Sequence, residues 1–184
     1  MWQPGGLDRP RIRTVNLSEL IIGKLLAFFD RGVIRDAWDI GRLLDIAEDE
    51  LQSPLFRARF IAMSATLDHP LTSYKSKIME QHFIERDITE KLVPLLTSGK
   101  AASVKAILER TRQVIEPFLS LSEVEDKYVE AIMKGELSLS LLFPQDKEEA
   151  ERLALHPALL WKMANVKRHL TLQEDKRAKR TITS

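Results

Sequence analysis

The chain has no cysteine in 184 residues. That excludes disulfides, zinc–thiolate sites and thiol catalysis. An excess of charge is missing too. Lys and Arg number 28 against 27 Asp and Glu, a formal net charge of +1. No global field therefore draws the chain toward nucleic acid or an anionic membrane. No apolar run approaches the roughly 18 residues of a membrane span. The N-terminus lacks a basic region followed by an apolar one, so it does not read as a secretory signal. The expected location is the cytoplasm. Glu80, His82 and Glu85 are metal-capable types without the H-E-x-x-H spacing of a zinc site, and a solvated helix face is the better reading.

What is present is ordinary for a globular fold: 44% hydrophobic and 30% charged residues. A chain of this length buries roughly 70% of its unfolded surface as one domain. Residues 1–13 carry Pro4, Gly5, Gly6 and Pro10 and read as irregular, with one possible short strand at 11–15. Residues 14–170 read as a helical domain, an antiparallel bundle. Ser53-Pro54 starts a helix, and Asp68-His69-Pro70 ends it. Residues 74–84 and 88–96 form weaker helical patterns. A long pattern over 100–119 meets Pro117, which should end or kink it. Ser122 and Glu125 make a capping box for a helix that stops at Gly135. Residues 137–143 read as a connector, Asp146 as a cap, and Pro157 as the start of the last helix. On that helix Leu159, Met163, Val166 and Leu170 form the face expected to be buried. Residues 171–184 are polar and basic and read as a disordered tail.

The organising stretch is 16–47. Asn16 caps a first helix, with Glu19 placed to reach back, and Gly32 stops it. Lys24 then falls within an arc made by Leu17, Leu20, Ile21, Ala27 and Phe28. An ammonium there needs an anion or water. The second helix, from about Arg35 to Ala47, offers Asp36 and Asp39 on one face, flanked by Arg35 and Arg42. On the residues alone, a structural ion network is the commoner explanation of such a cluster.

The pattern K-L-x-A-x-x-x-R-G-x-x-R-D-x-W-D at 24–39 resembles a segment of the AbiEii-type nucleotidyltransferase toxins of abortive-infection toxin–antitoxin systems. EDKYVEAIMKGELSLSLLFP and HPALLWKMAN resemble later stretches of that family, so the likeness runs from about Thr14 to about His169. The resemblance implies transfer of a nucleotidyl group from an NTP to an RNA acceptor, plausibly a tRNA 3′ end. It implies Lys24, Asp39 and Asp36 as site residues. Lys24 would contact the triphosphate with Arg31 and Arg35 nearby, and Asp39 would be the later acidic residue.

The family's earlier α/β segment, with a Gly-Ser pair and a metal-holding Asp-x-Asp, has no counterpart in this sequence. The expectation is a mainly α chain with no metal site of its own, inactive in isolation, from a truncated or split gene. Mg²⁺ and NTP belong to the complete family enzyme. The partners so implied are a cognate antitoxin or the missing catalytic segment. The alternative is a helical interaction module without catalysis, with apolar surface that could support homo-oligomerisation. A weaker RNA-contact reading falls on Trp161, Lys162, Asn165 and Arg168, beside the basic run to Arg180. Its competitor is a solvated terminal helix.

Overall fold

The computed structural model describes residues 14–74, 83–97 and 102–182, with side chains as far as 173 in the last stretch. Glu80 and His82, most of the candidate helix at 74–84, and most of the candidate strand at 11–15 lie outside them. Among the described residues every regular element is helical, so the fold is mainly α. No helix among them is long and apolar enough to cross a membrane.

Helix α1 (Leu17–Arg31) starts on Asn16, whose side chain accepts the Glu19 N–H at 2.8 Å. Only this half of the expected capping box forms, because the Glu19 carboxylate lies toward Arg152, 3.4 Å away. Gly32 ends the helix at φ 59°, and its N–H bonds the Phe28 carbonyl. That left-handed position would cost a residue with a Cβ about 1 kcal/mol or more. Helix α2 (Ile34–Ile46) doubles back on α1. The short α3 (Glu48–Leu51) leads to α4 (Pro54–Ser64), capped by Ser53 with proline in its first turn. Ser18 of α1 donates to Glu50 of α3, tying the start of the hairpin to this corner.

Residues 85–95 form irregular helical turns with Ile88 and Leu92 buried. Helix α5 (Val104–Leu119) is the main neighbour of α2. The two approach closely at Gly41, where an added Cβ would stand 3.1 Å from the Arg110 Cβ. Thr111 Oγ1 donates to the Ala37 carbonyl at 2.8 Å, and Arg110 Nε to the Gly41 carbonyl at 3.0 Å. Pro117 does not end α5. It sits in the last turn, two residues before Leu119, and there removes the N–H that would otherwise bond the Gln113 carbonyl. Arg57 of α4 collects the carbonyls of that end, Pro117 at 2.7 Å and Ser120 at 2.8 Å, and grips Glu125 with two nitrogens.

Helix α6 (Glu123–Met133) has the full capping box of Ser122 and Glu125 and stops before Gly135, at φ 78°. Asp146 caps α7 (Lys147–Ala154), and α8 runs over Pro157–Ile182. Helix α8 runs on through 171–182, a stretch that reads as a tail in the sequence. No glycine or proline follows Pro157, and Gln, Glu, Lys, Arg and Ala are all good helix formers. Leu159 and Met163 are buried as expected, whereas Val166 and Leu170 are only half-buried.

The core gathers around an aromatic group. Phe29 touches Phe60 and Tyr74, and Phe118 packs on Phe56 and Phe60, with ring centroids 4.8 to 5.9 Å apart. Each such fully buried ring stabilises the fold by about 1.5–3 kcal/mol. Tyr128, beneath them, donates to the Ala62 carbonyl at 3.0 Å, and burial pushes its hydroxyl pKa up.

Candidate functional site

The α1–α2 hairpin brings Lys24 and Asp39 together. The Lys24 ammonium donates to Asp39 Oδ2 at 2.6 Å, and the two side chains are 39% and 38% exposed. The apolar arc expected around Lys24 is narrower than the sequence suggests. Ile21 and Phe28 are buried, but Leu17 and Leu20 are exposed, and the buried face of α1 continues through Ile22, Leu25 and Phe29. Lys24 stands at the edge of the core, part-exposed, with its ammonium on Asp39.

Asp36 does not join Lys24. It is buried in the first turn of α2, where a carboxylate suits the helix dipole, and it faces Arg31, the last residue of α1. Arg31 Nη2 is 3.1 Å from both carboxylate oxygens. Only the bond to Oδ1 is aligned, so Oδ2 is buried without a hydrogen bond. Arg31 and Asp36 thus clasp the turn and hold the two helices in register. Arg35 and Arg42 project outward, exposed, with no ion pair among the described residues. At 100° per residue they lie beside Asp39 on the outer strip of α2.

The four residues considered for RNA sit on α8, which packs mainly on α6 and α7. Trp161 is 68% exposed and Arg168 is exposed. Asn165 Nδ2 turns back to the Trp161 carbonyl at 2.9 Å. Lys162 is drawn inward, donating to the Leu67 carbonyl beyond the end of α4. Lys162 thus leaves the strip that Trp161, Asn165 and Arg168 share, and its ammonium is engaged with the fold.

Two features escaped sequence reasoning. The first is a charge hub at Glu149. Arg152 Nε and Nη2 and Arg59 Nε reach its carboxylate at 2.6–2.8 Å. The Arg152 bond, with Arg59 behind it, outweighs burial and holds the carboxyl down to about 2. The hub borders a cavity of about 220 Å³ under α1, lined in part by Glu19, Gly23, Arg59 and His156. The second is a cavity of about 250 Å³ between α2 and α5, lined in part by Trp38, Arg42, Asp45 and Arg110. Two arginines in the apolar helix 54–64 and a glycine three residues after Trp38 were the available signals.

The donor set does not fit a divalent ion. Asp36 and Asp39 each face a cation of the chain, not one another. Among the described residues no group of three or more His, Asp or Glu could hold a metal.

Comparison with protein families gives one further finding. The sequence model described as "Nucleotidyl transferase AbiEii toxin, Type IV TA system" matches residues 3–133, well over half of the chain. That span contains the whole α1–α2 hairpin, and the HPALLWKMAN helix lies beyond it. Comparisons with curated proteins and with solved structures each return no match. With the Lys24–Asp39 hairpin inside the matched span, the chain belongs to the AbiEii nucleotidyl transferase toxin family.

Proposed function

We propose that this chain supplies the lysine–aspartate half of a nucleotidyltransferase site acting on an RNA acceptor, the 3′ end of a tRNA. The observation that carries the reading is the part-exposed Lys24–Asp39 contact at 2.6 Å inside the family span. In the reaction an acceptor hydroxyl oxygen bonds to the α-phosphorus of an NTP. The bond from that phosphorus to the bridging oxygen breaks, pyrophosphate leaves, and the hydroxyl proton passes to a base. Lys24 would meet the phosphate oxygens as a point charge. Asp39 would hold the ammonium in place before the nucleotide arrives and would be the candidate acceptor for the proton. Arg31 and Asp36 act through the hairpin by fixing its turn. Arg35 is placed for an outer phosphate contact.

Carboxylates able to hold Mg²⁺ would come from a separate segment or chain, since those of the hairpin are committed to Lys24 and Arg31. Membership of a type IV toxin–antitoxin family implies an antitoxin partner as well. A second reading, an interaction module without catalysis, draws support from the exposed Val15, Leu17 and Leu20 at the start of α1. Gly23, one turn on, has nothing within 4 Å of where a Cβ would stand. Such a bare apolar strip suits a protein interface.

The test is incubation of the purified chain with radiolabelled NTP, total tRNA and Mg²⁺. The expected result is no label above that of Lys24→Ala. Label that depends on Lys24 would show a complete enzyme in this chain and overturn the divided site.

A further inference from the structure

The cavity between α2 and α5 has the makings of a nucleobase seat. Its floor is apolar and small, from Ala37, Gly41, Ala106 and Ile107. The half-buried Trp38 supplies an aromatic wall. Its rim is polar, with Arg42, Asp45 and Arg110. Flat apolar faces and a hydrogen-bonding edge are the features of a base, and unstacked RNA bases are held by aromatic rings and guanidinium planes. The volume, about 250 Å³, is just below the roughly 300–1,000 Å³ of pockets for drug-sized ligands, so it suits one base.

The rim is also set in place. Arg110 is anchored through Nε to the Gly41 carbonyl and pairs with Asp45 at 2.7 Å. Asp45, 60% exposed, keeps acceptor capacity for the amino group of a base.

Charge tells what continues beyond the cavity. Arg31, Arg57, Arg59, Arg86, Arg110 and Arg152 are all ion-paired. Arg35 and Arg42 are not, among the described residues. They lie two turns apart on one face of α2, about 10 Å along its axis. Successive phosphates of a strand span a separation of that order. The strip they mark runs from Trp38 past Arg42 and Arg35 to Asp39 and Lys24.

We infer that this cavity takes a base of single-stranded RNA against Trp38, with the strand's phosphates on Arg42 and Arg35. The inference deepens the proposed reading by naming where the acceptor strand lies. RNA binding is measured without NTP or Mg²⁺, so it can fail or stand separately from the transfer chemistry.

The probe is a short fluorescein-labelled single-stranded oligoribonucleotide, followed by anisotropy with the full chain over a range of salt. The double variant Arg35→Ala/Arg42→Ala changes only exposed side chains and should leave the circular dichroism intact. It should weaken binding at least tenfold and reduce the salt slope by about 0.7 for each phosphate that is no longer neutralised. Trp38→Leu should weaken binding roughly fivefold or more, and Trp38→Phe should recover part of that, as stacking requires. Trp161→Ala/Arg168→Ala should change nothing. Unaltered affinity in the Arg35/Arg42 variant overturns the inference, as does a loss confined to the Trp161/Arg168 variant. So does an outcome in which ATP binds with the same sensitivity to Arg42 and Trp38 while the oligoribonucleotide does not bind.

Discussion

Lys24→Met removes the charge of the candidate site and keeps most of the side-chain stem, so it separates function from folding. The Lys24–Asp39 contact is short, 2.6 Å, yet both partners are more than a third exposed. Water screens such a pair and competes for both ends, and pairs of this kind are worth about 0–1 kcal/mol. Were the pair buried, stranding Asp39 would cost about 3–5 kcal/mol. Exposure, not distance, decides between these figures. Stability of Lys24→Met is therefore expected within about 1 kcal/mol of the parent chain, in urea unfolding with an unchanged m-value. Asp39→Asn and the double variant complete the cycle, and the coupling between the two positions should stay below about 1 kcal/mol. A loss of several kcal/mol in Lys24→Met, partly restored by Asp39→Asn, would give the pair a structural role. The pair would then be holding the hairpin together instead of waiting for a ligand.

The Glu149 hub should behave in the opposite way. Arg152 and Arg59 hold its carboxyl at about 2 against an ordinary 4.5. With the folded pKa below the unfolded one, the contribution is complete above 4.5 and is lost as the pH falls toward 2. The difference amounts to about 3 kcal/mol. Glu149→Gln should lose most of that at pH 7 and show a flatter decline between pH 5 and 2, read by urea unfolding across that range. Arg57→Ala strands the buried Glu125 and uncovers two carbonyls at the α5–α6 corner. It should cost about 3–5 kcal/mol, measured in the same way, and a loss under 1 kcal/mol would show that the corner is held by packing alone.

Local chemistry was the legible part of this fold. Asn16, Ser53, Ser122 and Asp146 cap helices, and Gly32 and Gly135 end them, because each acts on backbone groups within a few residues. The Lys24–Asp39 partnership was legible too, since a short turn between two helices leaves few ways to face them. The choice between Asp36 and Asp39 was not, because it depends on the turn geometry that sends Asp36 to Arg31. Nor was the exposure of Leu17 and Leu20, which rests on what covers the first turn of α1. Long-range charge pairs were out of reach altogether. Arg57 and Glu125 are 68 residues apart and Arg59 and Glu149 are 90 apart, and no periodicity joins them. The cavity at Trp38 needs Arg110 of α5 as its far wall, so it exists only once the helices are packed.

The proposed contact between Lys24 and the phosphates of a nucleotide is read by ATP binding in titration calorimetry with the purified chain. A charge-assisted bond to phosphate is worth about 1.5–3 kcal/mol, so Lys24→Met should weaken ATP at least tenfold while its urea midpoint holds. Asp39→Asn keeps an oxygen that accepts from Lys24 but removes a like charge beside the phosphates, and should tighten ATP. Equal affinities for ATP in the parent chain, Lys24→Met and Asp39→Asn would remove Lys24 from the nucleotide site.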